Sequence, residues 1–299
     1  MQVSPKNFRG VYTALVTPFN KGAVDFDSLQ NLVDYQLKFG INGLVLLGTT
    51  GESVTLDDEE RTQVLEFVVK KVDHRIPILV GTGSNCTRKA VQYTCEAAKL
   101  GADGMLVVAP YYNRPTQSGL CMHFEKIAAS TEKPICLYSI PSRCGIEIGV
   151  ETIAKLREKY EHIIGVKEAG GSCNRVSQIV KALDKDFCVF CGDDSLTLPF
   201  FALGARGVIS VASNLAVKPL VKMMDYALSN NLEAAADINR LFYPFFRALT
   251  VETNPVPVKQ FLYRAGLIAS PEVRLPLSPL LETSVDLVND VFDSLHGKY

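Results

Sequence analysis

The chain lacks the marks of nucleic-acid, membrane, metal and disulfide proteins. Its 31 Lys and Arg nearly balance 32 Asp and Glu, for a formal charge of -1. That leaves no electrostatic footprint for nucleic acid, and no polybasic run suggests an anionic membrane. No stretch is both long enough and free enough of charge to cross a bilayer, and residues 1–10 carry no apolar leader-like core. The expectation is a cytoplasmic protein that handles small molecules. The four histidines, His74, His123, His162 and His296, show no HxxxH or clustered spacing, so neither a metal site nor a histidine-based triad has support. The eight cysteines (Cys86, Cys95, Cys121, Cys136, Cys144, Cys173, Cys188, Cys191) are scattered along a large chain, which favours free thiols over a disulfide framework. Cys188 and Cys191 have the spacing of half a zinc or redox motif, but they sit in the strand-like run Phe187-Cys188-Val189-Phe190-Cys191. Residues three apart in a strand face opposite sides, so the two sulfurs do not readily ligate one ion. The stretch Gly81-Thr82-Gly83-Ser84-Asn85-Cys86 lacks the third glycine of a dinucleotide fingerprint. No metal and no organic cofactor is expected.

What is present is alternation. Apolar runs at 11–16, 43–47, 77–80, 105–109, 135–138, 163–167, 188–191 and 208–211 read as strands. Amphipathic stretches lie between them: 27–39 ends on Gly40, 87–100 ends on Gly101, and 56–72 follows Thr55, whose spacing to Asp58 suggests a capping box. This repetition predicts an α/β fold, a (β/α)8 TIM barrel, rather than a doubly wound sheet. After Asn214 only helical patterns remain, at 218–228, 232–250, 258–265 and 284–295. We therefore expect a barrel catalytic domain over 1–230 and a C-terminal helical domain over 231–299, suited to packing on the barrel or on another subunit.

Reactive groups of such a barrel belong at the C-terminal ends of its strands. The run Ile163-Ile164-Gly165-Val166-Lys167-Glu168 ends in a lysine whose amine must be paired or desolvated. Desolvation favours the free amine, which attacks ketones to form a Schiff base. The plainer alternative is a stem along the barrel wall with the head in water or paired with Glu168. Gly48-Thr49-Thr50-Gly51-Glu52-Ser53 offers hydroxyls and backbone N–H groups between glycines, a nest for a carboxylate or an ordinary βα turn. Pro110-Tyr111-Tyr112-Asn113-Arg114-Pro115 brings two phenols, which equally suit a core cap. Leu137-Tyr138-Ser139-Ile140-Pro141-Ser142-Arg143-Cys144-Gly145 adds a proton-shuttling phenol and a guanidinium able to grip a carboxylate. Together an amine, a nest, phenols and a guanidinium on one face suit a 2-oxo acid.

With Cys191-Gly192-Asp193-Asp194 and Asn254-Pro255-Val256-Pro257-Val258-Lys259, these segments resemble, in order and over nearly the whole chain, the pyruvate-dependent class I aldolase family. The resemblance implies that Lys167 forms the imine with pyruvate and that Thr50 holds the pyruvate carboxylate. It implies a proton relay of Tyr138, Thr49 and Tyr112, the last reaching into a neighbouring subunit of a homotetramer. Arg143 would take the carboxylate of aspartate 4-semialdehyde, on the diaminopimelate and lysine pathway, with Gly192 and Ile209 lining the site. Relatives that split N-acetylneuraminate, 2-keto-3-deoxygluconate or 4-hydroxy-2-oxoglutarate share the lysine and tyrosine but generally lack the Pro-Ser-Arg arrangement. A non-catalytic ligand-sensing barrel is the rival of another class. Ser53, Asn85, Lys89 and Tyr111 match a regulatory cleft that holds lysine in inhibited relatives. Lys89 stands where those relatives carry a carboxylate, and Asp58 and Arg61 where they carry histidines.

Overall fold

The computed structural model describes residues 4, 7–295 and 297–299; His296 lies outside the described residues. The strands are β1 (Gly10–Ala14), β2 (Phe19–Asn20), β3 (Ala23–Val24), β4 (Gly43–Leu46), β5 (Ile78–Gly81), β6 (Gly104–Val108), β7 (Ile135–Ser139), β8 (Ile163–Glu168), β9 (Cys188–Cys191) and β10 (Gly207–Ser210). β2 and β3 form a small antiparallel ribbon, and the other eight close into a barrel in the order β1-β10-β9-β8-β7-β6-β5-β4. The pairings are parallel, as in Tyr138↔Lys167 between β7 and β8 and Lys167↔Phe190 between β8 and β9. The chain is thus a (β/α)8 TIM barrel with C-terminal helices. Every barrel strand falls within two residues of its expected place. The ribbon has no sequence signal, since each of its strands is only two residues long.

The strands are apolar because both their faces are covered: β1, β4, β7, β8 and β9 are buried at every position. Turn chemistry fixes where helices begin and end. Helix Phe26–Lys38 is capped by Asp25 and followed by Gly40 at φ 77. The box expected from Thr55 and Asp58 is not the one formed. Asp57 caps helix Asp58–Val72, accepting from the Glu60 backbone N–H at 2.8 Å while the Glu60 carboxylate accepts from the Asp57 N–H at 3.2 Å. Thr55 instead donates its hydroxyl to the Glu52 carbonyl at 3.0 Å, closing the turn before the helix.

The chain divides into two compact units, Met1–Gly10 with Pro77–Ile209, and Val11–Ile76 with Ser210–Tyr299. The first carries β5 to β9 and is packed around residues such as Met105, Leu137, Ile163 and Phe190, with Phe8 stacked on Phe190 at 4.1 Å. The second carries β1 to β4 and the helices Val217–Leu228, Leu232–Ala248, Val256–Arg264 and Glu282–Ser294. Its core includes Phe19, Leu29, Phe242, Phe245 and Phe261, the last two edge to face at 4.8 Å. Among the described residues no helix is long and apolar enough to cross a membrane.

Candidate active site

In the first unit the register of β7 and β8 sets Tyr138 and Lys167 side by side. Both are 5% exposed, and the Lys167 Nζ lies 4.4 Å from the Tyr138 ring centroid. Glu168, one residue on, does not pair with Lys167. Successive strand residues face opposite ways, and the Glu168 carboxylate accepts from Arg175 Nε at 2.7 Å and from the Gly170 N–H at 2.8 Å. Burial pushes the Glu168 carboxyl above the ordinary range, with Arg175 opposing. Lys167 thus has an aromatic face as its neighbour, and its nitrogen is available for bonding.

The thiols nearby do not compete as nucleophiles. Desolvation pushes Cys136 on β7 and Cys191 on β9 far up, and Cys188 to about 11, so all three stay protonated at neutral pH. Cys144 is likewise raised by burial to about 11 and lies 3.1 Å from the Ala109 carbonyl. All eight cysteines are unbridged by disulfides. Among the described residues no group of three or more His, Cys, Asp or Glu is placed to hold a metal ion.

The segments after the strands carry the remaining groups. Past β6, Tyr112 is 91% exposed with φ 73, and Arg114 has φ 48. Two non-glycine residues in the left-handed region within three positions mark a turn held by its surroundings. Past β7, the short helix Pro141–Cys144 starts on proline, ends on Gly145 at φ 69, and presents Arg143 at the surface. Its continuation is held by Arg175, whose Nη1 donates to Glu147 at 2.9 Å and whose Nη2 donates to the Ile148 carbonyl. Past β9, Gly192 donates its N–H to the Glu168 carbonyl at 2.8 Å, and a Cβ there would meet the Ala169 Cβ at 2.5 Å. Ile209 on β10 is fully buried. Asn113 joins two of the expected cleft residues, its N–H donating to the Tyr111 carbonyl and its side chain to the Asn85 carbonyl, both at 2.9 Å. Lys89 is exposed in the first turn of helix Thr87–Lys99, 5.9 Å from the Tyr93 ring.

In the second unit, the turn Gly48 to Ser53 is framed by Leu47 at φ 55 and Glu52 at φ 50. The Glu52 N–H donates to the Thr49 carbonyl at 3.1 Å and the Ser53 N–H to the Gly48 carbonyl at 3.4 Å. Ser53 also accepts at its carbonyl from Arg61 Nη1 at 3.2 Å. Thr50 is buried and accepts from Asn254 Nδ2 at 3.0 Å, and Thr17 donates to the Gly51 carbonyl at 2.8 Å. The Glu52 side chain is ion-paired with Lys259. Asn254 bonds Thr50 and Glu52 pairs with Lys259 in this unit, and Glu168 pairs with Arg175 in the first; the sequence alone assigns a site role to none of these five. A signal existed for two of them, because Lys259 and Arg175 lie in otherwise apolar buried stripes of their helices.

Residues 7–294 match the dihydrodipicolinate synthetase family. A 4-hydroxy-tetrahydrodipicolinate synthase of Persephonella marina is 46% identical over 270 residues, covering 90% of this chain and 92% of the relative. The solved 4-hydroxy-tetrahydrodipicolinate synthase of Methylacidiphilum fumariolicum superposes with a TM-score of 0.95 at 47% identity, over 97% of each chain. A chloride-inhibited dihydrodipicolinate synthase of Acinetobacter baumannii, solved with pyruvate, superposes with a TM-score of 0.93 at 38% identity, over 96% of this chain and 99% of that one. The chain belongs to the dihydrodipicolinate synthetase family.

Proposed function

We propose that this chain is a lyase that condenses pyruvate with L-aspartate 4-semialdehyde to 4-hydroxy-tetrahydrodipicolinate, in diaminopimelate and lysine biosynthesis. The observation that carries the reading is the buried Lys167 amine lying 4.4 Å over the Tyr138 ring, its neighbouring carboxylate already engaged by Arg175. The names of the relatives supply the product.

In this reading Lys167 Nζ adds to C2 of pyruvate, and the carbinolamine loses water as Tyr138 delivers a proton to the departing hydroxyl. Loss of a proton from the methyl carbon gives an enamine. That carbon attacks the aldehyde, and the resulting alkoxide is protonated to the 4-hydroxyl. The semialdehyde's own amine then attacks C2, closes the ring and frees Lys167; the overall change releases one water. Thr50 is assigned to the pyruvate carboxylate and Arg143 to the carboxylate of the semialdehyde, with Gly192 and Ile209 as lining. Thr49 and Tyr112 complete the proton relay. Tyr112 serves a neighbouring subunit, a role supported by its exposure of 91% and its constrained backbone. The working form is then a cytoplasmic homotetramer, a dimer of dimers, in which 1–230 carries the chemistry and 231–299 is a helical domain without a reaction of its own.

Borohydride reduction in the presence of pyruvate tests the imine. Intact-mass analysis is expected to show one reduced pyruvate on the wild type and none on Lys167→Ala, since removing the amine removes the bond. A full adduct on the variant takes Lys167 out of its role, and no adduct on the wild type removes the proposed chemistry.

A further inference from the structure

The segment that the sequence marks as Asn254 to Lys259 reaches the Gly48–Ser53 turn twice. Asn254 Nδ2 donates to the Thr50 hydroxyl oxygen at 3.0 Å. This engages Thr50 as an acceptor and leaves its own proton to donate. Lys259 Nζ donates to the Glu52 carboxylate, with side-chain exposures of 0% and 2%. Glu52 sits in the left-handed region at φ 50, which a non-glycine residue keeps only where its surroundings over-determine it. They do so here. Its second carboxylate oxygen accepts from the Arg274 N–H at 3.0 Å, and its carbonyl accepts from Thr55. Lys259 in turn donates to the Glu272 carbonyl at 2.8 Å and lies 4.1 Å over the Phe19 ring. Arg274 closes the cluster, donating to Glu60 at 2.6 Å and to the Gly22 carbonyl at 2.9 Å.

A buried ion pair is a weak source of stability, because the desolvation of both charges offsets their attraction. Its strength is geometry. We propose that Glu52 and Lys259 are positioning residues for the carboxylate-binding turn: their ion pair, together with the Asn254 bond to Thr50, holds Thr50 in the conformation that receives pyruvate. This rests on the assignment of that turn to the pyruvate carboxylate, and it predicts an effect on pyruvate binding rather than on turnover.

Lys259 also titrates in an accessible range. Burial pulls Lys259 down to about 8, opposed by Glu52 and Glu272 and reinforced by Arg274. The groups facing the ammonium are Glu52 from the turn, the Glu272 carbonyl and Arg274 from the segment after helix Val256–Arg264, and Phe19 from β2, with Glu60 behind Arg274. The cation is present below that pH and lost above it, so the turn loosens on the alkaline side.

Steady-state kinetics of the full-length wild type, Glu52→Gln and Lys259→Met are the test, from about pH 7 to about pH 9, with thermal melting and borohydride trapping alongside. For the variants we expect the pyruvate KM to rise about tenfold or more, with kcat and the semialdehyde KM within about twofold, the signature of lost ground-state binding. The wild-type pyruvate KM is expected to climb above about pH 8, and that climb to flatten in Glu52→Gln. A folded variant with an unchanged pyruvate KM, a fall confined to kcat, or a wild-type pyruvate KM flat across the range overturns the inference. Should Lys259→Met not fold, Glu52→Gln, which keeps the shape and one acceptor oxygen, and the wild-type profile decide. Absence of trapping in the wild type removes the underlying assignment; trapping with unchanged KM values removes the positioning role alone.

Discussion

Replacing Arg175 by methionine should destabilise the protein strongly and in a pH-dependent way. Its guanidinium is 6% exposed and donates through Nε to the Glu168 carboxylate at 2.7 Å, through Nη1 to Glu147 at 2.9 Å and through Nη2 to the Ile148 carbonyl, while the Glu168 side chain is 0% exposed. Methionine keeps the stem and removes the charge, leaving the Glu168 carboxylate buried with only the Gly170 N–H. Breaking a buried pair from one side costs about 3–5 kcal/mol. With an unfolding entropy of about 2 cal/mol/K per residue, or roughly 0.6 kcal/mol/K for a chain of this length, Tm falls by roughly 5–8 °C. The sign of the pH effect follows from Glu168. Burial already raises its carboxyl above the ordinary 4.5, and Arg175 is the larger of the influences opposing that rise, with the Gly170 N–H the other. Without Arg175 the folded variant takes up a proton at a higher pH than its unfolded chain does, so its stability recovers as pH falls through the folded value. Thermal melts of both proteins between about pH 5 and about pH 8 should therefore show a deficit that is largest at the alkaline end and shrinks on acidification. Glu147→Gln, at a side chain 46% exposed, should cost no more than about 1 kcal/mol. A deficit of Arg175→Met below about 2 °C, or one constant across the pH range, refutes the reasoning.

Arg143→Ala should leave pyruvate trapping intact while lowering kcat/KM for the semialdehyde by roughly ten- to a hundred-fold, the worth of a charged contact of about 1.5–3 kcal/mol. Equal loss in trapping and turnover would make Arg143 structural. The resemblance places the exposed Lys89 where inhibited relatives carry a carboxylate, so on that reading lysine should inhibit weakly or not at all, since two like charges at 4 Å repel by about 1 kcal/mol even in water. Strong inhibition of initial rates by sub-millimolar lysine would contradict this.

What could be read from the sequence was what local chemistry determines. The barrel followed from apolar runs separated by capped helices, and Lys167 stood out because a cation ending such a run needs an explanation. Tyr138 followed from strand-end position, and the structure sets it against Lys167. The pairing of Glu168 was open to the same logic, since a period of two sends it to the face opposite Lys167. Adjacency in sequence had suggested contact where alternation forbids it. Nothing local marks the partners across long separations. Glu52 and Lys259 are 207 residues apart, and Asn254 and Thr50 are 204 apart. A carboxylate in a glycine-rich turn and a lysine on an apolar helix are each a charge in the wrong place. That two such anomalies answer each other is a property of the closed fold, in which a helix after the last strand supports a turn after an early one. Buried charges that local pattern cannot justify therefore point to tertiary partners, and in this chain those partners support the segments to which the chemistry is assigned.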